Sequence, residues 1–306
     1  MNILDCIGHT PLVRLEGASK MAGANVYMKL EARNPGGSIK DRPALYYIQG
    51  AMERGELATG GCIVEATSGN LGIGLALVCA KLGIRLILTM PGTVSQERIT
   101  LLRAIGVELI ITPPAEGMSG ATAKAEFLAS DIRGAFRPNQ FANMDGVKCH
   151  YENTGPEILA DAKALGITID AFVSGVGSGA TISGVGKRLR EDNPNIFIAA
   201  IEPAESPVLS GKAAGAHGIQ GIGAGFVPKV YNATLINEIF PVSTEDAILA
   251  GRRLLQGEAI NAGISSGANL HGALLMAQRP EFKGKNIVTI ACDTGERYLS
   301  TQLFSS

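Results

Sequence analysis

Ile63-Val64-Glu65-Ala66-Thr67-Ser68-Gly69-Asn70-Leu71-Gly72 runs from a short apolar, β-branched segment through glycine and hydroxyl residues into Leu71 to Ala80, an apolar stretch ended by Lys81. The first four residues read as a strand and residues 71–82 as a helix. A helix start leaves four backbone N–H groups without intrahelical partners and concentrates partial positive charge there. Such a junction is a potential anion site, where Gly admits close backbone approach and Ser or Thr adds donors. The pattern recurs at Gly175-Val176-Gly177-Ser178-Gly179-Ala180-Thr181, after the strand Ala171-Phe172-Val173-Ser174. Either junction alone reads equally well as a tight βα turn. Two of them in different parts of one chain suggest a ligand with two anionic ends held in a cleft.

Outward from these junctions, short apolar runs keep alternating with longer helical patterns. Strands are expected at Arg85–Thr89, Val107–Ile111, Phe197–Ile201 and Asn286–Ile290. Helices are expected near 95–105, 182–191, 245–256 and 267–278. This alternation implies parallel βαβ units, an α/β fold. The length, 306 residues, suggests two domains, with the irregular segment Pro138–Asn153 carrying the chain between them.

Composition narrows the function. With 27 Lys+Arg against 28 Asp+Glu, the net charge of −1 argues against a nucleic-acid binder that neutralises phosphates. The longest apolar stretch falls short of the ~20 residues that span a bilayer, and the N-terminus lacks the pattern of a secretory signal. Five scattered cysteines without a C-x-x-C pair indicate neither a disulfide framework nor a zinc site; no metal is expected. A cytoplasmic enzyme with reduced thiols is the default. Glycine supplies 39 of the 306 residues, which fits a compact chain with many tight turns and close backbone approaches.

Gly175, Gly177 and Ala180 also satisfy G-x-G-x-x-A, and Glu202 ends the next strand about twenty residues later, as in a dinucleotide fingerprint. An NAD-linked oxidoreductase is therefore one reading of this loop.

A different stretch competes with it. Glu31-Ala32-Arg33-Asn34-Pro35-Gly36-Gly37-Ser38-Ile39-Lys40-Asp41-Arg42-Pro43-Ala44 sets one lysine just after a Pro-Gly-Gly turn. The whole stretch resembles the cofactor-attachment segment of the fold-type-II, tryptophan-synthase-β-like pyridoxal-phosphate enzymes. So do Ile7-Gly8-His9-Thr10-Pro11-Leu12, Thr67 to Asn70, Gln140-Phe141, Thr154-Gly155-Pro156-Glu157, Gly221 to Phe226, Gly263 to Gly267 and Gly295 to Ser300. These motifs occur in order along essentially the whole chain, and within the family they are most similar to the cysteine synthases (O-acetylserine sulfhydrylases).

The resemblance implies two domains of twisted, mostly parallel sheets with helices on both faces and the cofactor, pyridoxal 5′-phosphate, in the interdomain cleft. It implies a larger cofactor-phosphate domain of residues 1–34 plus 146–306 and a smaller mobile domain of residues 35–145. Lys40 would form the Schiff base, a nucleophilic role needing a neutral amine, and then take the substrate's Cα proton. Gly177, Ser178, Gly179, Ala180 and Thr181 would cradle the cofactor phosphate, which displaces the dinucleotide reading. Thr67, Ser68, Gly69 and Asn70, with Gln140, would bind the substrate α-carboxylate, Asn70 also touching the cofactor 3′-oxygen. Ser265 would face the pyridine nitrogen, its alternative being a helix N-cap, and Gly221 would leave room beside the cofactor.

The implied reaction is β-replacement on O-acetyl-L-serine by sulfide, giving L-cysteine and acetate through an α-aminoacrylate. Implied partners are a homodimeric second copy and the C-terminus of a serine acetyltransferase. Leu71, where threonine is common, Ser178 and Ala180 in the phosphate loop, and Ala142-Asn143-Met144 without the familiar Asn-Pro depart from the usual pattern. They leave the leaving group and nucleophile open: O-phosphoserine with another nucleophile, or cysteine desulfhydrase or lanthionine chemistry, would use the same residues. A regulatory binding paralogue is the alternative from another class. His9, His150, His217 and His271 show no ligand spacing.

Overall fold

A computed structural model describes residues 1–305. In chain order the elements are β1 (Leu12–Arg14), α1 (Glu16–Ala22), β2 (Asn25–Leu30), α2 (Asp41–Glu53), β3 (Cys62–Ala66), α3 (Asn70–Leu82), β4 (Arg85–Pro91), α4 (Gln96–Ile105) and β5 (Glu108–Thr112). They continue with α5 (Gly117–Asp131), β6 (Ala135–Phe136), α6 (Asp145–Cys149), α7 (Gly155–Ala164), β7 (Ala171–Gly175), α8 (Ala180–Asp192), β8 (Phe197–Pro203), β9 (Glu238–Val242), α9 (Thr244–Glu258), α10 (Ile264–Ala277) and β10 (Asn286–Ala291). The chain forms two compact units, Met1–Ile7 with Lys40–Gly146 and Gly8–Ile39 with Val147–Ser306. Compared with the boundaries expected from sequence, Met1–Ile7 and Gly146 fall with the first unit, where Leu4 and Ile7 pack on its core, and residues 35–39 fall with the second. None of the helices among the described residues is long and apolar enough to cross a membrane.

The first unit is built on a parallel sheet in the order β5-β4-β3-β6. Side chains alternate across a strand, and here both faces are apolar. Ile63, Leu86, Leu88 and Met90 pack with residues of α2, α3 and α4, while Cys62, Val64, Ala66 and Ile87 pack against Ala121 and Ala125 of α5. Burial on both faces is why β3 and β4 read as near-continuous apolar runs.

The second unit holds the sheet β1-β2-β10-β7-β8-β9, parallel except for the β1–β2 pair. Val26, Met28, Val173, Ile201 and Ile287 face one layer, with α9 and α10. Tyr27, Phe172, Ile198, Val288 and Ile290 face the other, with α7 and α8. Helices thus cover both faces of both sheets, an α/β fold as expected. The segment expected to be irregular, Pro138–Asn153, is helical from Asp145 onward: α6 runs into a π-helical turn, His150–Thr154, and then α7. Val147 O and His150 Cβ stand where a side chain on Gly184 would go, so this turn is seated directly against α8.

Candidate active site

In the first unit, Lys40 directly precedes α2 and its carbonyl oxygen accepts from Ala44 N at 3.1 Å. Its side chain is half-buried. A Cβ on Gly74 of α3 would lie 2.9 Å from the Lys40 carbonyl oxygen and 3.1 Å from Ala44 Cβ. The missing side chain therefore lets the start of α2 lie against the first turn and a half of α3. At the head of α3, Gly69 is the N-cap and no side chain caps the helix. In the loop that leads into it, Thr67 Oγ1 accepts from Gly69 N at 3.2 Å. Arg98 of α4 donates to the Ser68 carbonyl oxygen. Lys40, Thr67, Ser68, Gly69 and Asn70 are thus held by two packed helices.

Gln140 joins them through a residue that sequence reasoning did not single out. Glu65 of β3 is 3% exposed; its carboxylate accepts from Asn139 N at 2.6 Å and from Ala66 N at 3.0 Å. Asn139, adjacent to Gln140, has φ +49°, and its carbonyl oxygen accepts from Ala142 N and Asn143 N, each at 3.0 Å. Burial pushes the Glu65 carboxyl up to about 7, against the lowering effect of the Asn139 and Ala66 N–H groups and the Arg137 charge. Leu71, the departure from the usual threonine, is 2% exposed and lies in the apolar core. It contributes no donor to the loop.

In the second unit, the loop after β7 turns into α8 with Gly179, at φ +86°, as an N-cap residue that has no side chain of its own to cap the helix. A Cβ on Gly177 would collide with the Gly221 carbonyl oxygen, and one on Gly179 would stand 2.8 Å from Tyr231 Cβ. The loop is a backbone cradle that side chains at these positions would break. Ser178 Oγ accepts from Ala180 N at 3.4 Å, so the serine departure keeps a working hydroxyl. Ala180, 2% exposed, accommodates its methyl in the buried start of the helix. Thr181 Oγ1 is 3.3 Å from His150 Nε2, and His150 Nδ1 is 2.9 Å from Thr154 Oγ1. This buried Thr154–His150–Thr181 chain is the second feature missed from sequence. Its only local signal is that His150 and Thr154 lie one helical turn apart.

Ser265, 3% exposed, stands in the first turn of α10. The N-cap there is Gly263, so the capping alternative for Ser265 does not apply. A Cβ on Gly221, at φ +99°, would stand 3.5 Å from Ser265 Oγ. Asn269, one turn further along, accepts from Gly175 N at 2.7 Å and donates to Ile290 O at 2.8 Å, tying α10 to the ends of β7 and β10. Gly177 to Thr181, Gly221 and Ser265 are therefore brought together in this unit.

The remaining motifs frame these parts. Lys29, fully buried, donates to Thr10 O at 2.5 Å and pairs with Asp161 at 2.8 Å and Glu157 at 3.1 Å. Glu157 also accepts from His9 N at 3.0 Å, which joins the Ile7–Leu12 and Thr154–Glu157 motifs. The C-terminal motif pins the residues that precede Lys40: Arg297 donates to the Gly36 carbonyl oxygen, and Ile39 N donates to Cys292 O at 2.8 Å.

The Pyridoxal-phosphate dependent enzyme family model matches residues 3–293. The chain belongs to that family. Its cofactor is pyridoxal phosphate. Glu202, the acidic residue of the dinucleotide reading, accepts from Leu209 N at 2.7 Å and from the Ser210 hydroxyl. It is spent within its own loop, and the oxidoreductase reading is set aside by the family.

Similarity extends over the whole length. A cysteine synthase of Staphylococcus aureus (strain Mu50 / ATCC 700699) is 49% identical over 304 residues, covering 99% of this chain and 97% of the relative. The crystal structure of a cysteine synthase from Entamoeba histolytica superposes with a TM-score of 0.94 at 42% identity, covering 99% of this chain and 90% of that one. A hydrogen sulfide-producing enzyme from Fusobacterium nucleatum superposes with a TM-score of 0.91 at 42% identity, covering 97% and 99%.

Proposed function

We propose that this chain is a cysteine synthase that exchanges the acetoxy group of O-acetyl-L-serine for sulfide, with Lys40 as the residue that carries the cofactor. The observation that carries the reading is the packing of Lys40, through Gly74, beside the uncapped Thr67–Asn70 loop. It puts one amine and one anion-binding helix start on the same pair of helices.

The residues fit the cofactor: the backbone cradle at Gly177–Thr181, which Cβ atoms would fill, suits a phosphate dianion at a helix start. Lys40 is the residue whose amine would hold the cofactor through its aldehyde. When bound, the cofactor supplies an electron sink for the electron pair released at the substrate's Cα. Thr67, Ser68, Asn70 and Gln140 bind and orient the substrate carboxylate, so that Cα–H faces Lys40. The neutral amine of Lys40 would take the Cα proton as general base. Acetate leaves with the Cβ–O electron pair, sulfide gives the pair that forms the Cβ–S bond, and Lys40 returns its proton to Cα. Ser265 would offer the cofactor's ring nitrogen a neutral hydroxyl rather than a carboxylate, a weaker electron sink that would favour β-elimination. Gly221 leaves space beside the ring.

The same reading includes a homodimer in a reducing cytoplasm, consistent with the free thiols at Cys6, Cys62, Cys79, Cys149 and Cys292. It also includes capture of a serine acetyltransferase C-terminus, whose terminal carboxylate presents the same group as the substrate. A second reading, hydrogen sulfide release from cysteine, would use the same residues and is suggested by the 42% identity to a hydrogen sulfide-producing enzyme from Fusobacterium nucleatum.

The test is product analysis. Holoenzyme is given O-acetyl-L-serine plus sulfide, O-phospho-L-serine plus sulfide, or L-cysteine alone. The proposal expects cysteine to form fastest in the first mixture. Turnover confined to either of the others would replace the proposed substrate.

A further inference from the structure

We infer that Glu65 is a positioning residue whose ionisation state sets the geometry of the substrate-carboxylate site. The inference rests on the assignment of Thr67 and Gln140 to that site. One buried carboxylate grips both segments that carry those residues. On one side it bonds Ala66 N, one residue before Thr67; on the other it bonds Asn139 N, one residue before Gln140. The two segments are 74 positions apart in the chain. The hydrogen-bonded β3–β6 pairing that sets the two segments side by side ends at Ile63 and Phe136, before either site residue.

The Asn139 backbone, at φ +49°, is in a region that non-glycine residues seldom occupy. The Glu65 bond and the two bonds accepted by its own carbonyl oxygen hold it there. A carboxylate can accept from both N–H groups at once. In a neutral carboxyl the oxygen that carries the proton is a poorer acceptor, and its hydrogen competes for space with the N–H it faces, so one of the two bonds is weakened or lost. Loss of the Asn139 bond frees the turn that ends in Gln140. Loss of the Ala66 bond frees the entry to Thr67.

The charges around Glu65 allow this change near neutral pH. From the end of β6, Arg137 favours the ionised form, and Arg137 is itself paired with Glu126 of α5 at 2.9 Å. From α4, Arg98 is engaged on the Ser68 carbonyl oxygen. From β4 the residue in register with Glu65 is the apolar Leu88. Burial opposes the charge and carries the midpoint to about 7. Amino-acid affinity therefore rises with pH across neutrality through this one group.

The experiment is calorimetric titration of the holoenzyme with L-serine from pH 6 to 8.5, together with KM and kcat for O-acetyl-L-serine. Glu65→Gln presents a donor at every pH and mimics the protonated state. Its dissociation constant should exceed that of the unmodified enzyme about tenfold at pH 8 and fall to near parity at pH 6. KM should follow and kcat should stay within about twofold. Protonation of the substrate amine cancels in this ratio. Arg137→Met, which keeps the carboxyl, should move the midpoint upward, and it serves if Glu65→Gln does not fold. A ratio equal at pH 6 and pH 8, or a midpoint unmoved by Arg137→Met, would overturn the inference. Thr67→Ala and Gln140→Ala separate the two levels. If they leave L-serine binding intact, the carboxylate assignment itself is wrong; if they weaken it while the Glu65→Gln ratio stays flat, only the role of Glu65 falls.

Discussion

The carbonyl oxygen of Lys40 stands 2.9 Å from the point that a Cβ on Gly74 would occupy. Lys40 N-terminal to α2 and Asn70 at the head of α3 owe their proximity to that missing atom. A methyl there must push the start of α2 away by a few tenths of an ångström, and overpacking of this kind costs about 1–3 kcal/mol. Gly74→Ala is expected to lower the unfolding midpoint by several degrees and to slow cofactor attachment, read from melting curves and from the growth of visible absorbance. An alanine variant with unchanged rate of attachment would mean that the α2–α3 approach does not position the lysine.

Glu65 also links stability to pH. Its folded pKa, about 7, lies above the ordinary carboxylate value of 4.5. Between those values the folded chain holds a proton that the unfolded chain has released, so stability falls as pH rises through this window. The slope approaches about 1.4 kcal/mol per pH unit for one group at its steepest. Glu65→Gln removes that contribution. Denaturant midpoints at pH 5 and pH 8 should therefore differ less in the variant than in the unmodified protein; an equal difference would place the titration elsewhere.

The Thr154–His150–Thr181 chain is expected to act as a unit on cofactor retention. Thr181→Val and His150→Phe should each speed the loss of pyridoxal phosphate on dialysis. Residues in one hydrogen-bond network couple by about 0.5–3 kcal/mol, so the double variant should lose the cofactor hardly faster than the worse single one. Additive effects in this cycle would show that His150 does not work through Thr181.

Lys29 presents a different kind of test, since it lies outside the reacting groups. Lys29→Met leaves Glu157 and the partly exposed Asp161 without their buried cation, a loss of about 1–3 kcal/mol. The expected result is a drop in unfolding midpoint with the visible spectrum of the loaded protein unchanged. A normal midpoint would mean that the network joining the N-terminal and Thr154–Glu157 motifs carries no stability.

The α/β architecture was legible because β3, β4, β7 and β8 are buried on both faces and so read as apolar runs, β3 and β7 being closed by glycine and hydroxyl residues. The residues of the two anion loops and Lys40 were legible as motifs. What holds them was not. Glu65 finds Asn139 across 74 positions, and Gly74 matters only because another helix packs on it; neither fact leaves a mark on periodicity. β2 was obscured by Lys29, a charge inside a strand that only its carboxylate partners make tolerable. α2, with Tyr46, Tyr47 and Gly50 among polar residues, was hidden by the lysine motif at its head. The turn at His150–Thr154 lay in a segment read as irregular, since π-helical geometry has no residue signature of its own.

Borohydride reduction of the loaded protein followed by peptide mass mapping tests the central claim most directly, because reduction fixes the cofactor to the amine that holds it. The account predicts a single phosphopyridoxyl label, on the peptide containing Lys40, and no label or yellow colour in Lys40→Ala. A label on any other lysine, or a protein that stays colourless after incubation with pyridoxal phosphate, would contradict it.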